Sequence, residues 1–202
     1  MKIKLKKIIG VIILVVVAFL YAHIAKVHNI YNTEIDPSEY GNTGILTELG
    51  IKQEFVCAEE YLDGIRIKST VTESAEQILL SYSLKNLSTG EVAASGKAEG
   101  KAVKNSKFFE IPFERIENCK DTRFELTVSS NVPAGTDSGV GFAYEKNREE
   151  HTSLEVAGEE VEDGTLILKT VTNRFDFETF CVFLVFALYV ILFMRFLYRL
   201  FK

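Results

Sequence analysis

The sequence has no tryptophan, and only three cysteines, three prolines, three histidines and two methionines among 202 residues. Without tryptophan, the commonest aromatic platform for a sugar ring is missing. His23, His28 and His151 are scattered, and no C-x-x-C, H-E-x-x-H, P-loop or G-x-S-x-G pattern is present. That removes the zinc, nucleotide and serine-hydrolase chemistries those spacings support. GTDSGVG sets Ser138 between glycines but lacks the strand–elbow–helix context that exposes a nucleophile. The acidic turns EEYLDG and EEVEDG lack EF-hand spacing. No catalytic residue, metal ligand set or cofactor motif is marked, so the chain reads as a non-enzyme.

Acidic residues are missing from both ends. All 28 lie between Glu34 and Glu178, while Lys2, Lys4, Lys6 and Lys7 open the chain and Arg195, Arg199 and Lys202 close it. An acidic middle is a poor partner for nucleic acid, whose phosphates need clustered Lys and Arg. Next to the basic tips lie two apolar runs, Ile8 to Ala25 and Thr179 to Met194. A bilayer core of about 30 Å needs roughly 20 apolar residues in a helix. The second run reaches that length through Phe196, Leu197 and Tyr198 if Arg195 snorkels. The expected order is a cytoplasmic tip (1–7), a first transmembrane helix (8–25), a linker (26–50), an extracytoplasmic domain (51–173), a second transmembrane helix (177–198) and a second cytoplasmic tip (199–202). Both termini then face the cytoplasm of a two-pass cell-membrane protein. A cleaved signal peptide is the rival reading. Cutting after Ala22 or Ala25 puts Leu20 or His23 where a small residue is wanted, which favours an uncleaved anchor.

Between the ends the pattern has period two, the mark of strands half buried on one face. Residues 53–57, 62–71, 77–84, 91–98, 107–113, 122–129, 139–145 and 164–172 read as eight strands, with 53–71 as an opening hairpin. The inward face is expected to carry Phe55, Ile65, Ile67, Ile78, Leu80, Tyr82, Phe109, Ile111, Phe113, Phe124, Leu126, Val128, Phe142 and Leu168. Turns every dozen or so residues, with no convincing amphipathic helix, indicate a mainly β fold: an antiparallel β-sandwich, jelly-roll-like, between two transmembrane helices. Asp36-Pro37 and Gly41, Gly44 and Gly50 discourage regular structure in the linker, though ILTELG suits a short helix capped at Gly50.

The motifs QEFVCAEEYLDGIRIKSTV, LLSYSLKNLSTGEVAASG and FFEIPFERIENCKDTRFELTVSS carry a resemblance. They are similar to an extracytoplasmic β-sandwich module of Gram-positive membrane proteins, several of them associated with surface polysaccharide. In that group Q-x-F and L-x-G-I-x-I precede a D/N-x-x-T-G turn. The resemblance covers about residues 53–130. It implies a jelly-roll topology like that of carbohydrate-binding modules, but carries over no sugar-binding residue.

Two sets of site candidates follow from the residues themselves. Tyr61, Arg66, Arg123 and Tyr144 are exposed aromatic or planar side chains suited to a sugar. Cys57 and Cys119 both lie in the outward domain, where an oxidising exterior permits a disulfide, while Cys181 falls in the second apolar run. The expected function is a membrane-anchored, non-catalytic module that binds a cell-envelope glycan or supports envelope-polymer assembly. The alternative is an accessory subunit docked on a larger membrane transporter, glycosyltransferase or sensor. Expected partners are the lipid bilayer, a cell-surface glycan and another membrane protein.

Overall fold

The computed structural model describes residues 2–202, with side chains from Ile8 onward. The side chains of Lys2, Lys4, Lys6 and Lys7, expected in the first cytoplasmic tip, lie outside the described residues. The chain divides into two units: residues 27–172, and the two ends together.

The end unit holds helices α1 (Lys2–Tyr21) and α2 (Phe177–Leu200). Asp176 caps α2, its carboxylate accepting the Thr179 N–H at 3.0 Å, and Glu178 sits in the first turn where the helix dipole favours an anion. No residue of α2 is buried, and from Phe180 to Met194 it is apolar on all sides. Among the described residues it is the one helix long and apolar enough to cross a membrane. The described apolar part of α1, Ile8–Tyr21, is shorter than a span requires. The expected helix over 8–25 is therefore corrected: it stops at Tyr21, and His23–Asn29 is strand β1. The ending has local causes. His23 Nδ1 bonds the Phe19 carbonyl at 2.8 Å, and the Ala22 carbonyl accepts the Asp176 N–H at 2.8 Å. Ala18 and Ala22 are fully buried, and the Phe19 and Phe175 rings lie 5.3 Å apart.

The central unit is a two-layer antiparallel sandwich. Its further strands are β2 (Gly41–Asn42), β3 (Ile51–Val56), β4 (Tyr61–Thr72), β5 (Leu79–Asn86), β6 (Val92–Glu99), β7 (Phe108–Glu117), β8 (Arg123–Ser130), β9 (Gly139–Glu145), β10 (Ser153–Val156), β11 (Glu159–Val161), β12 (Thr165–Leu166) and β13 (Leu168–Phe175). One sheet runs β1-β13-β4-β9-β12, with β7 also on β4 and β2 on β9; the other runs β11-β10-β3-β8-β5-β6. The alternation read from sequence is the cause. Along β3 and β8 every second side chain is buried, so Phe55, Phe124, Leu126 and Val128 meet Ile65, Ile67, Ile111 and Phe142 of the other sheet in one apolar core. Tyr82 and Phe113 are only partly buried, at its margin.

The stretch 53–71 is not a hairpin. β3 pairs with β8 and β10, and β4 with β7, β13 and β9, so the chain crosses between sheets at residues 57–60. The linker is corrected too. The Ile30 N–H donates to the Leu168 carbonyl, β2 pairs with β9, and the Leu46 N–H donates to the Val140 carbonyl. Residues 45–50 form no helix; Gly50, at φ +61° and tight against the β8 backbone, turns the chain into β3.

Gln53 joins the layers. Fully buried, it donates Nε2 to the Ser153 and Glu54 carbonyls, and its Oε1 accepts the Leu166 N–H of the opposite sheet at 2.8 Å. Replacing it by leucine strands that N–H in the core. Gln53→Leu is expected to cost about 2 kcal/mol of stability, read as a lower urea midpoint for the full chain in detergent; an unchanged midpoint would rule out the clasp.

Candidate functional site

The sugar candidates do not converge. Tyr61 and Arg66 lie on the outer side of β4. Arg66 Nε pairs with Glu110 Oε2 at 2.7 Å. Tyr61 lies under the Arg115 guanidinium, 4.9 Å from its ring centroid, while Arg115 grips Asp63 through two bonds of 2.8 and 3.1 Å. Arg123 belongs to the other sheet and holds Glu54 at 2.7 Å. The Tyr144 ring is laid on Gly41, where any Cβ would collide with it. Two further aromatics of that sheet's outer side, Phe108 and Tyr31, are likewise occupied: the Lys169 ammonium sits 4.3 Å from the Phe108 centroid and 5.7 Å from that of Tyr31.

The cysteines do converge. Cys57 and Cys119 are fully buried free thiols. The Cys57 N–H donates to the Thr122 carbonyl, the Cys119 N–H to the Glu60 carbonyl and the Asp121 N–H to the Cys57 carbonyl, which holds the sheet crossing against the β7–β8 turn. The Cys57 thiol donates to the Glu59 carbonyl and the Cys119 thiol to the Ile116 carbonyl, both at 3.3 Å, and the interaction between the two thiols lowers the Cys57 pKa and raises that of Cys119, the latter also through burial.

Hollows lie at the two poles of the sandwich. The Thr172 hydroxyl donates to the Tyr61 carbonyl at the pole where the chain leaves the unit. Near that pole a cleft of about 420 Å³ is lined by His28, Asp121, Glu149, Glu150 and His151. Asp121 and His151 there hold φ of +59° and +61°, strained for non-glycine residues. Among the described residues no three His, Cys, Asp or Glu side chains are placed to hold a metal.

The opposite pole is built from the loops 73–78 and 131–138. Between them opens a cleft of about 450 Å³, lined by Ser74, Glu76, Gln77, Ile78, Asn131, Val132, Pro133, Thr136 and Ser138. Ile78 and Val132 are almost wholly buried and form an apolar floor. The rim is hydroxyl and amide, with one carboxylate, Glu76. Asn131 ties the loops to the strands: its Oδ1 accepts the Leu79 N–H at 2.8 Å and its own N–H donates to the Leu79 carbonyl at 3.2 Å. That commits the amide oxygen and leaves the NH2 as the donor for a ligand. Ser138 Oγ donates to Glu73 at 3.3 Å, and Thr136 Oγ1 to the Pro133 carbonyl at 2.8 Å, so the hydroxyls are held in place. Donors and acceptors around a small apolar floor form a surface complementary to a polyhydroxylated ring. Sequence reasoning weighed Ser138 only as a nucleophile and placed Gln77 and Ile78 in a strand; the rest it passed over because Ser, Thr and Asn between strands read as turn formers.

No family model matches the chain, and no curated protein matches it. Among solved structures it is similar to the clostridial cysteine protease Cwp84 after propeptide cleavage, at 10% identity and a TM-score of 0.46, over 74% of this chain and 40% of that one. A second structure, of the cysteine protease and lectin-like domains of Cwp84, a surface layer associated protein of Clostridium difficile, matches at 11% identity and 0.41, over 69% and 37%. TmCBM61 in complex with β-1,4-galactotriose matches at 14% identity and 0.30, over 65% of this chain and 88% of that one. This chain thus spans about 40% of the length of the first of these proteins.

Glu145, at the end of β9, is fully buried. Its carboxylate accepts the Asn32 N–H at 3.1 and 3.2 Å, pinning the segment after β1 to the sheet. Burial pushes its pKa up to about 7; the Asn32 bond partly offsets this, and Glu149 adds to it. Burial and the Glu145 charge also raise the Tyr31 phenol. A carboxyl with a raised folded-state pKa binds more protons folded than unfolded, so its contribution falls as pH rises from about 4.5 to about 7. Glu145→Gln keeps an acceptor for Asn32 without the charge. The variant is expected to gain stability relative to the parent across that window and to hold the gain at pH 8, as measured by urea unfolding at several pH values. A constant difference would refute the assignment.

Proposed function

We propose that the protein is a non-catalytic, jelly-roll-like β-sandwich that binds a cell-envelope glycan, held at the outer side of the cell membrane by α2 and by the apolar start of the chain. The observation that carries the reading is the cleft between the 73–78 and 131–138 loops. It offers hydroxyls, amides and an apolar floor, with one carboxylate, Glu76, and no imidazole or thiol. That lining suits recognition of a neutral polyol and lacks the acid–base pair of a glycosidase. The apolar, unburied circumference of α2 supports a place in the bilayer. With both basic tips in the cytoplasm, the sandwich lies outside. The same exposed helix favours the second reading, an accessory subunit whose α2 packs on a larger membrane protein.

A glycan array probed with the full chain in detergent tests the first reading. At least one envelope polysaccharide is expected to bind, with Asn131→Ala and Gln77→Ala each weakening binding about tenfold, the equivalent of one good hydrogen bond. Absence of binding, together with co-purification of one stoichiometric membrane partner, favours the accessory subunit. Glycan binding unchanged in both variants would move the site elsewhere.

We propose also that Cys57 and Cys119 close to a disulfide as the domain folds outside the cell, a disulfide oxidant taking up the two electrons and the thiols releasing two protons. In the chain-entropy model, closing a loop of roughly 60 residues stabilises by about 4 kcal/mol. Protein taken from membranes, denatured and alkylated without reductant, is expected to show Cys181 modified and Cys57 and Cys119 protected. Alkylation of all three would overturn the pairing.

A further inference from the structure

The last turns of α2 are two-sided. At about 100° per residue, Arg195, Tyr198 and Arg199 fall within an arc of roughly 100°, while Phe196, Leu197 and Leu200 take the other side. Lys202, just past the helix, turns back to the same arc, its ammonium 5.5 Å from the Tyr198 ring centroid. These four side chains line a groove of about 380 Å³. Among the described residues no carboxylate pairs with Arg195, Arg199 or Lys202, and no acidic side chain follows Glu178 in the sequence.

Two guanidinium forks, an ammonium and a phenol around one hollow match the oxygens of a phosphate, which Arg binds bidentately. The neighbouring side chains decide where that phosphate comes from. Phe196 and Leu200 are mostly exposed, and Phe201 is 83% exposed. A soluble anion would leave those apolar groups in water. A phospholipid covers both sides at once, its headgroup against the cations and its acyl chains against the Phe and Leu. The uncharged stretch Thr179 to Met194 ends where the cations begin, which sets them at headgroup depth in a spanning helix. We infer that this groove binds the phosphate of an anionic phospholipid; the inference rests on α2 as a membrane span.

The test uses the full chain and separates the two claims. Flotation with liposomes of phosphatidylcholine alone reads the span: the parent and Arg195→Gln/Arg199→Gln/Lys202→Gln are both expected to float, and failure of the parent to float overturns the span and the groove with it. Spin-labelled phosphatidylglycerol and phosphatidylcholine are then compared in phosphatidylcholine discs. The parent is expected to prefer phosphatidylglycerol about fivefold. The triple glutamine variant is expected to fall to parity, and Arg195→Lys/Arg199→Lys to keep most of the preference. Parity in a parent that floats, or a preference the glutamine variant retains, overturns the groove alone. Loss of the preference on adding millimolar inorganic phosphate, with no such loss in matched chloride, assigns the site to free phosphate and overturns the lipid.

Discussion

Two sheets that each hide one face have to share a single apolar layer, and the rest of the sandwich follows from that constraint. Because successive side chains in a strand point to opposite faces, β3, β4 and β8 each commit alternate residues to the interior. A polar group in that layer has to be fully bonded. Gln53 meets the condition by bonding within its own sheet and reaching across to Leu166. Its amide fixes how β3 and β10 sit against β12, which apolar packing alone leaves free to slide.

The constraint also distributes chemistry. Strand faces are spoken for, inside by the core and outside by ion pairs and aromatic contacts. The loops at the poles are released from alternation. They carry side chains in backbone conformations that strands exclude, including Glu73, Asp121 and His151 at positive φ. Both polar clefts lie there, and so does the thiol pair.

The core was legible because periodicity needs only neighbours in sequence. Phe55, Ile65, Ile67, Phe124, Leu126, Val128 and Phe142 are all buried as alternation requires. What periodicity does not encode is which strand pairs with which. The turn at 57–60 looks like a hairpin because its flanks are good strands, yet tertiary pairing sends β3 and β4 into different sheets. The same blindness scattered Tyr61, Arg66, Arg123 and Tyr144: the first two stand on the outer side of β4, Arg123 on the other sheet, and Tyr144 is half-buried against Gly41 and the core. Residues 26–50 read as a linker because their glycines and Pro37 discourage long elements; they are held instead by backbone bonds to β9 and β13 and by one buried carboxylate. The first helix was expected to run on past Tyr21 because His23, Ile24 and Ala25 extend an apolar run, whereas pairing with β13 draws them into a strand. Cys57 and Cys119 were flagged by compartment alone, and the crossing at 57–60 brings them together.

The occupied state of the outer sheet faces favours the loop cleft for the proposed recognition. A ring landing on Tyr61 has to displace the Arg115 guanidinium, which is tied to Asp63 by two bonds. One landing on Phe108 has to displace Lys169. Arg66 and Arg123 can reach a ligand only by releasing Glu110 and Glu54. Each exchange trades a formed contact for a new one and gains little. At the 73–78 and 131–138 loops a ligand displaces water instead, and the hydroxyls and amide there are already fixed by bonds to the backbone and to Glu73, so little side-chain freedom is lost on binding. Preorganisation, more than the number of polar groups, sets that cleft apart from the sheet surface.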